Sequence, residues 1–209
     1  MGLKWVDVSI PMREGMTVWP GDPPYSLSPR SRIAAGAGCN VSCLSFSTHT
    51  GTHVDAPWHF EEDGKRLHEM DTSVFFGDAR LIEAEGVAHI GPADLGPAAL
   101  PSRILLKTHN SECPHDAPFM KDYIAVEREA AERMVDEGVR LVGVDYLSVA
   151  PYKQEGQETH HILLRANVLV VEGLRLGSFS QGTYPFVVLP LPLVDADGAP
   201  CRAFLGREE

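Results

Sequence analysis

The chain has 209 residues, 44% of them hydrophobic, enough for a substantial core, and one domain spanning 1–209 is the natural count. With 29 acidic residues against 18 basic ones the formal charge is −11, which argues against nucleic acid or anionic membrane as a partner. No apolar run reaches the roughly 18 residues of a membrane span, and Met1-Gly2-Leu3-Lys4-Trp5 holds no apolar signal core, so a cytoplasmic protein is expected.

In chain order, Trp5 to Ile10 alternates as a strand. Trp19 falls in a loop, because Pro20 and Gly21 stand directly behind it. An aromatic on a loop is a better binding candidate than one in a core strand. Asn40 to Ser47 reads as a second strand and runs straight into the segment that carries the chemistry.

That segment, His49 to His59, holds three histidines and Asp55 within eleven residues. Imidazole and carboxylate suit Zn²⁺, Mn²⁺ or Fe²⁺. A helix is disfavoured by Gly51, by the β-branched Thr50, Thr52 and Val54, and by Pro57. In a straight strand His49 and His53 would lie roughly 13 Å apart, at about 3.3 Å per residue. Two imidazoles on one metal need bonds of about 2.0–2.1 Å each. The chain must therefore bend between them, and Gly51 is the residue able to do so. The expected path is a strand ending near Thr48, a turn at Gly51 and a ligand-bearing loop closed by Pro57. His59, past Pro57, lies too far along to join the same ligand set easily, which suits a proton-transfer role.

Asp78 to Glu85 and Arg103 to Thr108 read as strands, with a short helix expected over Pro92 to Leu100 and a loop over Thr108 to Asp122. Val126 to Glu137 is the clearest helix: Val126, Ala130, Ala131, Met134 and Val135 form an apolar stripe, and Gly138 supplies the stop. Val139 to Asp145 is a buried strand. His160 and His161 are adjacent, so in an extended segment they point to opposite sides and one alone is expected to be a ligand. Asn167 to Val171 delivers Glu172 at a strand end, and Phe186 to Leu193 with Arg202 to Leu205 complete the sheet. The order is that of an α/β protein.

The cysteines, Cys39, Cys43, Cys113 and Cys201, form no Cys-x-x-Cys pair and read as reduced thiols. Nothing gives any of them a base or cation partner, so a cysteine nucleophile is not expected. His68, His89, His109 and His115 lack a partner at ligand spacing and read as surface or structural, with His109 and His115 as candidates for a pocket rim. Trp58 and Phe60 flank His59 and either wall the pocket or pack in the core.

His49-x-Gly51-Thr52-His53-x-Asp55-x-Pro57-x-His59 resembles the signature of the cyclase-like metal-dependent hydrolases, the family of the bacterial kynurenine formamidases (arylformamidases). Trp19-Pro20-Gly21-Asp22-x-Pro24, Gly143-Val144-Asp145 with Ser148 and Pro151, and His160-His161 with Glu172-Gly173 resemble further stretches of that family. The resemblance runs from about Trp5 to Leu205. It implies a mixed β-sheet, barrel-like core with flanking helices. It also implies a site with two divalent metal ions, zinc first and Mn²⁺ or Fe²⁺ as alternatives. His49 and His53 would bind one ion, His160 the other, and Asp55 and Glu172 would bridge both. His59 would be the acid/base, Trp19 would line the substrate pocket, and the chain would form at least a homodimer.

The implied reaction is hydrolysis of N-formyl-L-kynurenine to L-kynurenine and formate by metal-activated water, with His59 protonating the departing nitrogen. Two rivals stand beside it. A sibling enzyme would share the ligands and open isatin or another small cyclic amide or lactone; Ala150 stands where the family pattern has Asp, and Tyr146-Leu147 where it has smaller or proline-containing residues. A protein that binds metal without catalysis is disfavoured, because N and O ligands with a spare histidine nearby resemble an open, catalytic site.

Overall fold

The computed structural model describes residues 2–152 and 157–208. Among these, ten strands are β1 (Leu3–Asp7), β2 (Ser26–Ser31), β3 (Val41–Ser45), β4 (His53–Asp55), β5 (Phe76–Glu83), β6 (Arg103–Lys107), β7 (Leu141–Val144), β8 (Leu169–Glu172), β9 (Gly182–Pro190) and β10 (Gly198–Glu208). Two α-helices are α1 (Arg128–Asp136) and α2 (Glu158–Arg165). The main sheet runs β1-β10-β4-β8-β7-β6-β5-β9, and β9 pairs back onto β10 from Cys201↔Pro190 to Leu205↔Phe186. Seven strands thus close into a mixed barrel, and β1 continues the β4 edge of β10. This is the expected α/β architecture.

Strands β5, β6, β7 and β8 are mutually parallel, and β4 joins β8 antiparallel. Parallel neighbours need crossover connections; α1 lies between β6 and β7, and α2 between β7 and β8. Alternation along the strands then makes two cores. Val54, Leu105, Leu141, Leu169 and Val171 fill the barrel with Phe186 and Leu205. Ile104, Leu106, Val142 and Val170 face outward and are covered by Ala130, Ala131 and Met134 of α1 and by Leu163 and Leu164 of α2. His53, Asp55 and Glu172 alternate with barrel-filling Val54 and Val171, so they too face outward, toward α2.

Several expectations are corrected. The segment from His53 to Asp55 is a buried strand in the middle of the sheet and not a loop; it pairs on both sides, with β8 and β10. β3 forms within the expected range but pairs with β2 in a separate two-stranded ribbon, because its residues are all exposed and offer no apolar face to the core. The His160 region is helical, not extended. Its buried face is Thr159, His160, Leu163 and Leu164, half polar, so the sequence shows no apolar stripe there. The helix expected over Pro92–Leu100 is a single 3-10 turn, Pro92–Leu95, ended by Gly96. The loop expected over Thr108 to Asp122 opens with a 3-10 turn at His109–Glu112. α1 starts at Arg128, because Val126 is held outside it by a hydrogen bond from its N–H to the Val149 carbonyl (2.8 Å). No helix among the described residues is long and apolar enough to cross a membrane.

Candidate metal centre

After β3 the chain reverses through a turn closed by Thr50 N–H to the Ser47 carbonyl (3.1 Å). Gly51 follows with φ of +68°, a conformation that side chains resist. The Thr52 hydroxyl donates to the Gly173 carbonyl at 2.6 Å and accepts from Ile10 N–H at 2.7 Å, which ties the turn to the end of β8. The approach is close: a Cβ on Gly173 would stand 2.6 Å from the Gly51 oxygen. The bend places the His49 ring 5.0 Å from that of His53, centroid to centroid. Beyond β4, Pro57 opens a 3-10 turn, Pro57–His59, which folds His59 back over His49.

Glu172, the last residue of β8, is the register partner of His53. His160 projects from α2 into the same space. His53 Nε2 stands 3.3 Å from both Asp55 Oδ1 and Glu172 Oε2. His160 Nε2 stands 3.2 Å from Glu172 Oε1 and 3.7 Å from Asp55 Oδ2. His49 Nδ1 faces Asp55 Oδ1 at 2.8 Å. His53, Asp55, His160 and Glu172 are all buried. Of the adjacent histidines, His160 turns inward and His161 outward, where its Nδ1 meets Glu61 at 2.8 Å.

Burial alone would strip the charge from these groups. Burial pulls His49 and His53 down, but the carboxylates outweigh it: Asp55 and Asp197 hold His49 at about 9, and Asp55 and Glu172 hold His53 at about 10. Burial pushes both carboxylates up, but His49 and His53 hold Asp55, and His160 and His53 hold Glu172, below the ordinary carboxylate range. His59 differs: burial pushes it down to about 4, Asp55 opposes, and His49 and His160 push it lower.

The donor set fits divalent cations. His53 Nδ1 lies 2.9 Å from the Gly51 carbonyl, which can only accept, so Nδ1 carries a proton and Nε2 is the nitrogen left to bind a cation once its own proton is displaced. That Nε2 and Asp55 Oδ2 are buried without any hydrogen-bond partner among the described residues, a condition that costs about 1–3 kcal/mol per group when nothing else fills the space. Among the described residues three groups could hold an ion: His49, His53 and Asp55; Asp55, His160 and Glu172; and His49, His59 and Asp197. Asp55 is common to the first two. Glu172 groups with Asp55 and His160, and it faces His53 as well. Val149 N–H donates to Glu172 Oε1 at 2.7 Å and orients it.

The centre opens into a cleft of about 380 Å³ whose walls include Trp19, Asp22, Phe60, Leu147 and Ser148. Trp19 sits in a turn closed by Asp22 N–H to its carbonyl (3.0 Å) and packs edge-on to Phe119, centroids 5.1 Å apart. Phe60 stacks on His160 at 4.4 Å, whereas Trp58 packs under Arg66, 4.4 Å from its guanidinium carbon. His109 and His115 are not among the cleft residues; His109 is exposed and 3.5 Å from Glu112. Asp145, from the Gly-Val-Asp stretch, is buried and accepts from the backbone and hydroxyls of Thr108 and Ser111, so it locks the loop after β6. Sequence reading missed Asp197, which meets His49 and Thr48. Its only local signal is the turn-forming Asp195-Ala196-Asp197-Gly198.

The profile of the family described as "Putative cyclase" matches residues 6–151. The chain is 37% identical to a protein named kynurenine formamidase from Geobacillus thermodenitrificans, over 97% of each. It is 34% identical to one of the same name from Bacillus anthracis, again over 97% of each. A solved structure described as a potential metal-dependent hydrolase with cyclase activity superposes with a TM-score of 0.86 at 33% identity, covering 100% of both chains. The isatin hydrolase A of Labrenzia aggregata superposes with a TM-score of 0.84 over 99% of this chain and 94% of that one, at 18% identity, a likeness of fold alone. By profile and by near full-length identity, the chain belongs to the cyclase family.

Proposed function

We propose that the chain is a metal-dependent amide hydrolase that converts N-formyl-L-kynurenine to L-kynurenine and formate. The carrying observation is the convergence of the unshared donor atoms of His53 and Asp55 with His49, His160 and Glu172, beneath a cleft that His59 overlooks. Relatives at 34–37% identity over nearly their whole length bear the name kynurenine formamidase, which supports this substrate. The departure at Ala150 lies in the outer core under the helices and not in the cleft wall. One domain, residues 1–209, carries this activity.

His49, His53 and Asp55 would hold one divalent cation and Asp55, His160 and Glu172 a second, zinc first, with Mn²⁺ or Fe²⁺ as alternatives. When bound, the cations supply Lewis acidity and make hydroxide available near neutral pH. The protein does the rest. Trp19, Phe60 and Leu147 provide the apolar wall for an aryl ring and exclude water from it. His59 is neutral at working pH, since burial lowers its pKa to about 4, so it takes up a proton as water attacks the formyl carbon. It then gives that proton to the departing nitrogen, which leaves as the arylamine. A cytoplasmic location fits the free thiols of Cys39, Cys43, Cys113 and Cys201. A homodimer fits the exposed apolar residues Leu27, Val41 and Leu44 on the β2–β3 ribbon.

The test is hydrolysis of N-formyl-L-kynurenine by the zinc-loaded protein, with a chelated sample and isatin in parallel. Chelator-sensitive release of kynurenine is expected. Turnover of isatin without turnover of formylkynurenine would overturn the substrate assignment.

A further inference from the structure

The turn between β9 and β10 carries a carboxylate that the metal ligand pattern does not require. Ala56 N–H donates to the Asp197 carbonyl at 2.8 Å and fixes this turn to the end of β4. The next residue has no room for a side chain: a Cβ on Gly198 would stand 2.6 Å from the Val54 oxygen and 2.8 Å from His49 Cε1. The backbone is therefore pressed against His49, and the Asp197 side chain reaches over it. Thr48 Oγ1 donates to Asp197 Oδ1 at 2.9 Å. The other oxygen, Oδ2, stands 3.3 Å from His49 Nε2 and 4.0 Å from His59 Nδ1. The two rings it addresses are stacked, with centroids 3.8 Å apart.

We infer that Asp197 is a positioning carboxylate shared by a metal ligand and the acid/base, an inference that rests on the metal-hydrolase reading. A ligating histidine gives its second ring N–H to a carboxylate, which sets the tautomer and the ring orientation. Asp197 does this for His49: with Nε2–H held, the lone pair is on Nδ1, 2.8 Å from Asp55 and aimed at the cation site. An acid/base histidine needs the same service. Asp197 Oδ2, 4.0 Å from His59 Nδ1, is the carboxylate oxygen that faces this nitrogen and favours the proton there, which leaves Nε2 to exchange the proton with water and then with the leaving nitrogen. The proton that His59 gains at Nε2 is the one it gives up, and Asp197 keeps its charge throughout. Thr48 occupies Oδ1, so both histidines share one oxygen.

The test uses Asp197→Asn, Asp197→Glu and Thr48→Val in the full chain, read by Co²⁺ titration of the metal-free protein and by steady-state hydrolysis of N-formyl-L-kynurenine. Asp197→Asn is expected to bind as many Co²⁺ as the parent, with one affinity about 10–100-fold weaker and a changed visible spectrum. Its kcat falls on the order of 100-fold while KM stays within about threefold. Asp197→Glu restores part of both, and Thr48→Val, which removes only the hydroxyl on Asp197 Oδ1, lowers kcat by only a few-fold. Loss of a whole Co²⁺ equivalent in Asp197→Asn would make Asp197 a ligand and overturn the inference. So would parental Co²⁺ affinity, spectrum and kcat. The Co²⁺ readouts need no substrate, so a parent protein inactive on formylkynurenine would defeat the formamidase reading and leave this one separately decided.

Discussion

His59 lies nearly face to face with His49, the ring centroids 3.8 Å apart and the planes 25° from parallel. Two imidazolium ions cannot share that contact cheaply. Asp55 and Asp197 settle the matter in favour of His49, which stays protonated up to about 9 in the metal-free protein. Burial drives His59 to about 4, and the neighbouring His49 adds to the push. Burial and the neighbouring charge thus keep His59 neutral and able to accept a proton in the metal-free protein.

Replacing His59 by Ala should therefore leave the cations in place and remove the proton carrier. Metal content by elemental analysis should match the parent, while kcat for formylkynurenine falls about 10²–10⁴-fold, the usual scale of general acid–base catalysis. Loss of metal along with activity would make His59 a ligand instead.

Metal binding should release protons, and the sign follows from the histidines. At pH 7 His49 and His53, held at about 9 and about 10, are protonated in the metal-free protein, whereas ligating imidazoles must be neutral. Calorimetry in buffers of different ionisation heat should find that these two sites release about two protons between them. The folded values lie above the ordinary 6.5, so the stability they lend is complete below about 6.5 and is lost as pH rises through about 9 to 10. Chelation should accordingly lower Tm more at pH 10 than at pH 7; an equal loss at both would contradict the assignment.

Glu172 has two duties that substitution can separate. Its Oε1 accepts from Val149 N–H and faces His160, and its Oε2 faces His53. Glu172→Gln keeps an acceptor for Val149 and should fold, but cation stoichiometry is expected to fall from about two to about one, as it should for His160→Ala. Glu172→Ala also strands the buried Val149 N–H, so denaturant unfolding should show a further loss of about 1–3 kcal/mol. Full stoichiometry in the Gln variant would remove Glu172 from the ligand set.

Trp19 should act on binding more than on chemistry. It walls the cleft and is braced by Phe119. Trp19→Ala is expected to raise KM about tenfold, some 1.4 kcal/mol of aromatic contact, with kcat changed less. Phe119→Ala, which loosens the brace without reaching the cleft wall, should raise KM by a smaller factor. A large fall in kcat at unchanged KM would place Trp19 in the chemistry.

Much of the site is legible in the residues from His49 to His59, because they are local: the spacing alone requires a bend between the two histidines, and Gly51 provides it. The strand at His53–Asp55 is not legible as a strand, since its partners β8 and β10 lie more than a hundred residues downstream. α2 is hidden for a related reason. Its buried face contains Thr159, whose hydroxyl donates to the Val126 carbonyl, and His160, which turns into the site, so the hydrophobic period that reveals α1 is missing.

What the sequence determined by itself is the chemistry available: nitrogen and oxygen donors in a fixed order, a bend at Gly51, a further histidine past Pro57. Barrel closure decided the rest. Pairing β4 between β8 and β10 turns His53, Asp55 and Glu172 to the outer face, where α2 can bring His160 to them. The same closure carries Asp197, more than 130 residues after His59 in the chain, to within reach of both stacked histidines. Strand register and helix packing act across such separations, and local sequence does not encode them.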